Sequence, residues 1–213
     1  MIKGLIFDMD GLILDTEKLY NKFTKKACAD FGFDLSDTAA LSLRSLSGEN
    51  AKKRFFEIFG EEFDYFKIRQ HRIKLMDDYI KRYGVEPKPG AREFLCAAKD
   101  KGYKLSTATT SPYERTERLL KSVGFFEMFD AFACGDMVAL SKPEPDIYLL
   151  AAKKLSLDTS ECMGFEDSPN GIESIIRAGV RPVMIPDLSE PDDELKEKLF
   201  ALRTSFFEAF DLL

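Results

Sequence analysis

The sequence has a single histidine, His71, among 213 residues. It sits in a charged stretch that reads as a helix surface, so His71 is a solvated side chain or at most a substrate contact. Catalysis built on a His triad has almost nothing to build on. The four cysteines, Cys28, Cys96, Cys134 and Cys162, are far apart and form no CxxC pair. They read as reduced thiols in apolar surroundings rather than as disulfides or a metal site. No stretch approaches the roughly 20 apolar residues that span a bilayer, and Asp8 and Asp10 interrupt the first apolar residues before a signal-peptide core could form. The expected location is cytoplasmic. A formal charge of -6 offers no global attraction to nucleic acid or anionic membrane. No GxGxxG follows the first apolar run, which counts against a nucleotide-cofactor enzyme, and neither repeats nor low-complexity segments occur.

What is present begins with "GLIFDMDGLILDT", Gly4 to Thr16. Apolar residues bounded by glycine suit a buried strand, and side chains two apart on an extended chain point the same way. Asp8 and Asp10 then share a face at the strand's carboxyl end. Like charges held that close repel unless a cation, a proton or hydrogen-bond donors offset them. A divalent metal would do so.

Residues 16–86 carry helical periodicity, with Leu19, Phe23, Ala27 and Phe31 at about four-residue spacing and Ala51, Phe55 and Phe59 likewise. "RQHRIKLMDDYIKRYG" continues as an amphipathic helix ending at Gly84, and "VEPKPG" reads as a linker. From Ala91 the texture alternates: helix 91–101, strand "YKLSTAT", helix 112–123, strand "AFAC", helix 145–155, strand "CMGFED", helix 170–178, strand "RPVMI". Such alternation implies βαβ units and a mostly parallel sheet. The opening strand has no other sheet to join. The expected fold is therefore α/β: a Rossmann-like parallel sheet core over 1–15 and 87–213, with an inserted α-helical cap over 16–86. The Phe-rich tail "TSFFEAFDLL" is expected to dock on the core.

Ligands of open parallel sheets bind outside the carboxyl ends of the strands. The reactive residues fall there: Asp8 and Asp10, then Thr109 and Thr110, then Lys142 in "LSKPEPD", then Glu166 and Asp167. Each alone has a plain structural reading, as a helix cap, a turn residue or a surface lysine. In order at successive strand ends they make a constellation. Asp8, Asp10, Asp167 and Glu166 form a hard oxygen site suited to Mg²⁺ beside a phosphate. Lys142, the Thr109 hydroxyl and backbone N–H groups around Met9 and Thr110 can bind the phosphate oxygens. One aspartate could attack phosphorus while the other protonates the leaving oxygen and later deprotonates water.

"DMDG", "TATTS", "SKPEPD" and "GFEDSPNGI" resemble the four motifs of the haloacid dehalogenase superfamily, and the helical insertion resembles that of its small-cap branch of phosphatases and β-phosphoglucomutases. The resemblance implies that Asp8 is the nucleophile, Asp10 the general acid/base, and Thr109 and Lys142 the phosphate binders. It implies that Asp167 ligates Mg²⁺ beside the Asp8 carboxylate and the Asp10 backbone carbonyl, with Glu166 supporting the metal site and Thr16 at a hinge to the cap. Dehalogenating members lack an aspartate at the second position, so Asp10 disfavours that reaction. β-Phosphoglucomutases carry a cap histidine where this chain has Tyr20, and a cap-loop arginine where it has Gly48, which favours a phosphatase over a mutase. The opening segment looks closest to sugar-phosphate and nucleoside-monophosphate phosphatases. A phosphoacceptor signalling module, the reading from another class, is usually smaller and lacks a large insertion.

The insertion point after Asp15 places the helices over the strand ends in this reading. A cap that closes over the phosphate site would draw substrate contacts from Thr16, Tyr20, Ser47, Glu49, Lys52 and Lys53. The expected partner is a small phosphorylated substrate, with no nucleic acid or membrane, bound by a monomer.

Overall fold

Strand β1 (Gly4–Phe7) is buried along its whole length, as four apolar or small residues at the centre of a two-sided sheet must be. The computed structural model describes residues 1–43, 48–187 and 189–213. The chain divides into two compact units, Met1–Asp15 with Val85–Leu213, and Thr16–Gly84.

The second unit is helical: α1 (Glu17–Asp30), α2 (Asp37–Leu41), α3 (Gly48–Phe59) and α4 (Tyr65–Tyr83). Asp64 caps α4 by accepting from the Lys67 N–H at 3.0 Å, and Gly84 ends it at φ +80°, where a side chain would be strained. Phe55, Phe59 and Phe63 stack on one another with ring centroids 4.8–6.4 Å apart, and Ala27, Cys28, Leu35 and Ile68 join that core. The apolar spacing is correct up to Ala27. Phe31 departs from it: α1 stops at Asp30, and Phe31 is left more than a third exposed.

The first unit continues with α5 (Ala91–Asp100), β2 (Lys104–Thr109), α6 (Tyr113–Ser122), β3 (Ala131–Cys134), α7 (Asp146–Leu155), β4 (Cys162–Glu166), α8 (Pro169–Arg177), β5 (Arg181–Met184), α9 (Asp193–Lys198) and β6 (Ala201–Leu202). The strands form one sheet in the order β3-β2-β1-β4-β5-β6, every pair parallel. This is the expected α/β fold, with a sixth strand too short to leave a pattern in the sequence. Phe7 aligns with Thr107 on one side and Phe165 on the other, and its ring stacks on Phe165 at 4.8 Å. Phe94 and Phe206 close the same cluster, so the tail docks through Phe206 while Phe207 stays exposed.

Two expectations are corrected. Cys96 is exposed rather than a core thiol, because Ala91, Phe94, Leu95 and Ala98 form the inward stripe of α5 and position 96 falls outside it. The segment "VEPKPG" is no loose linker: Glu86 accepts from the Asp15 N–H, the Lys88 N–H donates to Ile13, both at 2.8 Å, and Pro87 pairs with Leu14. Among the described residues no helix is long and apolar enough to cross a membrane.

Candidate active site

The carboxyl ends of β1, β2 and β4 lie side by side, because β1 pairs with both of the others. Their registers set Asp8 one residue past the Phe7–Phe165 pair, with its N–H donating to the Phe165 carbonyl at 3.0 Å. The chain then turns sharply. Gly11 takes φ +92°, a conformation that favours glycine, and the Ile13 and Leu14 N–H groups both donate to the Met9 carbonyl. Met9 is fully buried, so its side chain is core.

Lys142 reaches this turn from the loop after β3. Its ammonium donates to Asp8 Oδ1 at 2.6 Å and to Glu166 Oε1 at 2.5 Å, and all three side chains are at most 10% exposed. Glu166 accepts further bonds from the Tyr148 hydroxyl, the Asp167 and Ser168 N–H groups and the Ser168 hydroxyl. Ser168 in turn accepts from the Gly171 N–H and caps α8, whose first turn carries Pro169. Carboxylate oxygens of Asp8, Glu166 and Asp167 lie within 4.8 Å of one another, and all three residues are buried.

Burial pushes the Asp8 carboxyl up to about 8, against the pull of Lys142 and with the repulsion of Glu166 and Asp10 added. Burial works against the Lys142 ammonium too, but Asp8 and Glu166 outweigh it and hold the group charged well above its ordinary range. The buried Tyr148 hydroxyl is raised by burial and by Glu166, and stays neutral as a donor. Fully ionised, three carboxylates face one ammonium, a net charge of -2 at the cluster. A hard divalent cation fits that donor set and that charge.

The Asp10 carboxylate belongs to a different group. Ser111 donates its hydroxyl to Oδ2 at 2.8 Å, and Arg115 donates Nη2 to Oδ1 at 3.2 Å. Thr109, 1% exposed, ends β2 and accepts from the Ser111 N–H at 3.1 Å, while Thr110 is exposed. Beneath Thr110, a Cβ on Gly135 would lie 2.2 Å from its carbonyl oxygen, so only glycine admits the approach of the loop after β3.

In the helical unit, Thr16 is the buried residue before α1. Tyr20 is half-buried, with the Arg72 guanidinium 3.9 Å from its ring centroid. Lys52 lies over the rings of Phe56 and Phe66. Ser47 falls outside the described residues.

The family model described as haloacid dehalogenase-like hydrolase matches residues 5–185. The chain belongs to the haloacid dehalogenase-like hydrolases. It is a phosphoric monoester hydrolase of that family. The Bacillus subtilis (strain 168) protein YhcW is 35% identical to it over 189 residues, 88% of this chain and 84% of the relative. The phosphorylated carbohydrates phosphatase of Thermotoga maritima is 28% identical over 186 residues, 85% of this chain and 84% of the relative. Among solved structures, CbbY from Rhodobacter sphaeroides in complex with phosphate superposes with a TM-score of 0.83 at 27% identity, covering 99% of this chain and 97% of that one.

Four residues of this hydrolase's site escaped the sequence reading: Ser111, Arg115, Tyr148 and Gly171. Ser111 precedes the cap of α6 and Arg115 lies in its first turn, and nothing in their spacing points to Asp10. Tyr148 reads as an apolar-stripe position of α7, since its ring packs with Ile147, Ala151 and Ala152 in the core.

Proposed function

We propose that the protein is a Mg²⁺-dependent phosphatase that hydrolyses a small phosphorylated metabolite, a sugar phosphate or nucleoside monophosphate, through an aspartyl-phosphate on Asp8. The observation that carries this reading is the buried cluster in which one lysine, Lys142, serves both Asp8 and Glu166 beside Asp167. Such a cluster is unfavourable on its own, and a divalent cation would offset its net charge of -2 and let a phosphate approach. The name of the Thermotoga maritima relative supports a sugar phosphate as one candidate.

Asp8 and Asp167 would hold the Mg²⁺, with the Asp10 backbone carbonyl alongside. Glu166 already takes donors on both oxygens, so its part is to hold Lys142 and the loop in place. The ion, when bound, supplies charge neutralisation for the transferring phosphoryl group. Lys142 occupies Asp8 Oδ1, which leaves Oδ2 to attack phosphorus. The Thr109 oxygen accepts from Ser111, so its own proton is the one available to a phosphate oxygen, with the N–H groups of Met9 and Thr110. Asp10 gives its proton to the leaving oxygen, then takes one from the water that hydrolyses the aspartyl-phosphate. Thr16, Tyr20 and Lys52 are the helical unit's candidates for substrate contact.

The test is phosphate release with and without Mg²⁺ over a panel of sugar phosphates, nucleoside monophosphates and β-glucose 1-phosphate, with parallel detection of glucose 6-phosphate. Mg²⁺-dependent release concentrated in one class of metabolite is the expected result. Formation of glucose 6-phosphate without release would make the protein a mutase instead. Release that is indifferent to Mg²⁺ and EDTA would overturn the metal assignment.

A further inference from the structure

The Asp10 carboxylate has one donor on each oxygen, and both donors trace to one side chain. Arg115 lies in the first turn of α6, 19% exposed, with Nη2 3.2 Å from Asp10 Oδ1. Its Nε donates to the Ser111 hydroxyl oxygen, also at 3.2 Å. That bond uses a lone pair of Ser111 and leaves the hydroxyl proton to point at Asp10 Oδ2, 2.8 Å away. The guanidinium is rigid and planar, so its two N–H vectors fix two points of the triangle at once. Asp10 itself stands on a backbone turn pinned by Gly11 and by the Met9 carbonyl. Its remaining freedom is rotation of the carboxyl, and that is what Arg115 and Ser111 remove.

We propose that Arg115 is a positioning residue for Asp10: it aims the carboxyl, directly and through Ser111, at the oxygen that leaves phosphorus. This rests on the acid/base role of Asp10 proposed above. In the first half-reaction Asp8 Oδ2 bonds to phosphorus and the bond from phosphorus to the leaving oxygen breaks. The proton of Asp10 passes to that oxygen, giving a neutral alcohol and an Asp10 carboxylate, whose two oxygens then meet the two donors already in place. A carboxyl displaced by about an ångström loses most of such a transfer.

Proton donation matters in proportion to the basicity of the leaving group, which gives a readout that damaged folding would not reproduce. The measurement is kcat/KM, which reports the steps through aspartyl-phosphate formation, for an alkyl phosphate and for a graded series of aryl phosphates ending in 4-nitrophenyl phosphate. The variants are Asp10→Asn, Arg115→Met, Arg115→Gln and Arg115→Lys, each checked by circular dichroism and thermal melting. Asp10→Asn is expected to lose about 10²- to 10⁴-fold with the alkyl phosphate and far less with 4-nitrophenyl phosphate. Arg115→Met is expected to show the same slope at smaller amplitude, about 10- to 100-fold against about threefold or less. Arg115→Lys, which can supply one of the two bonds, is expected to recover part of it. Should Arg115→Met prove unfolded, Arg115→Gln carries the comparison.

A sloped Asp10→Asn with a flat Arg115 series, or a rise in KM alone, would overturn the positioning role and leave Asp10 as the acid. A flat Asp10→Asn would remove the acid role itself, and this inference with it.

Discussion

A Cβ placed on Gly171 would lie 1.9 Å from the Glu166 carboxyl carbon. The first turn of α8 is thus the floor on which the site's most heavily bonded carboxylate rests. Gly171→Ala is expected to displace Glu166 and with it Lys142, at a cost of about 1–3 kcal/mol from overpacking. Thermal melting and the Mg²⁺ concentration for half-maximal activity would both move; an alanine variant with unchanged Mg²⁺ dependence would show that Glu166 does not set the site.

Asp8→Asn keeps the volume of the side chain and removes the proposed nucleophile. Turnover is expected to fall by about 10³-fold or more, with the fold intact by circular dichroism. Acid-quenched enzyme incubated with ³²P-labelled substrate should retain label in the wild type and none in the variant. Substantial residual turnover would exclude Asp8 as nucleophile.

Lys142→Met leaves Asp8 and Glu166 facing each other with no ammonium between them. The cost of breaking such a buried pair is about 3–5 kcal/mol, and the loss should shrink at pH 5, well below the raised Asp8 value of about 8, where that carboxyl carries a proton. Denaturant midpoints at pH 5 and pH 8 check this; equal losses at both would mean that the ion pairs contribute little.

The ordinary Asp8 value of 3.8 rises to about 8 in the fold, so the native metal-free protein holds a proton that the unfolded chain has released. The resulting stability is complete below about pH 4 and is lost as pH climbs through about 8. Mg²⁺ binding to an ionised site displaces that proton. The rise in melting temperature on adding Mg²⁺ is therefore expected to be larger at pH 8.5 than at pH 6, and to vanish with EDTA. A rise that is the same at both pH values would separate Asp8 from the metal.

The alternation after Ala91 and the glycines that close its helices made the parallel sheet legible, and the rule that ligands sit at strand ends drew Asp8, Thr109, Lys142 and Glu166 into one group. Those signals are local, or follow from topology. The contact of Arg115 with Asp10 joins residues 105 apart, and depends on how α6 is seated against the turn after β1, which no periodicity encodes. The grip of Gly171 on Glu166 is hidden for another reason: the small residue reads as a helix-entry glycine, and its closeness to a carboxyl needs three-dimensional packing. Cys96, by contrast, was readable. Counting by three and four from Ala91 puts it on the outer face.

Strand β1 carries the opening residues yet lies between β2 and β4, whose residues come about 100 and 160 positions later. On the ribosome, Asp8 and its neighbours wait through the synthesis of the whole helical unit before the first adjoining strand exists, and longer before Glu166 emerges. Strand β1 thus waits about 160 positions for its second neighbour, and the chemistry at its carboxyl end can assemble only after β4 has been made.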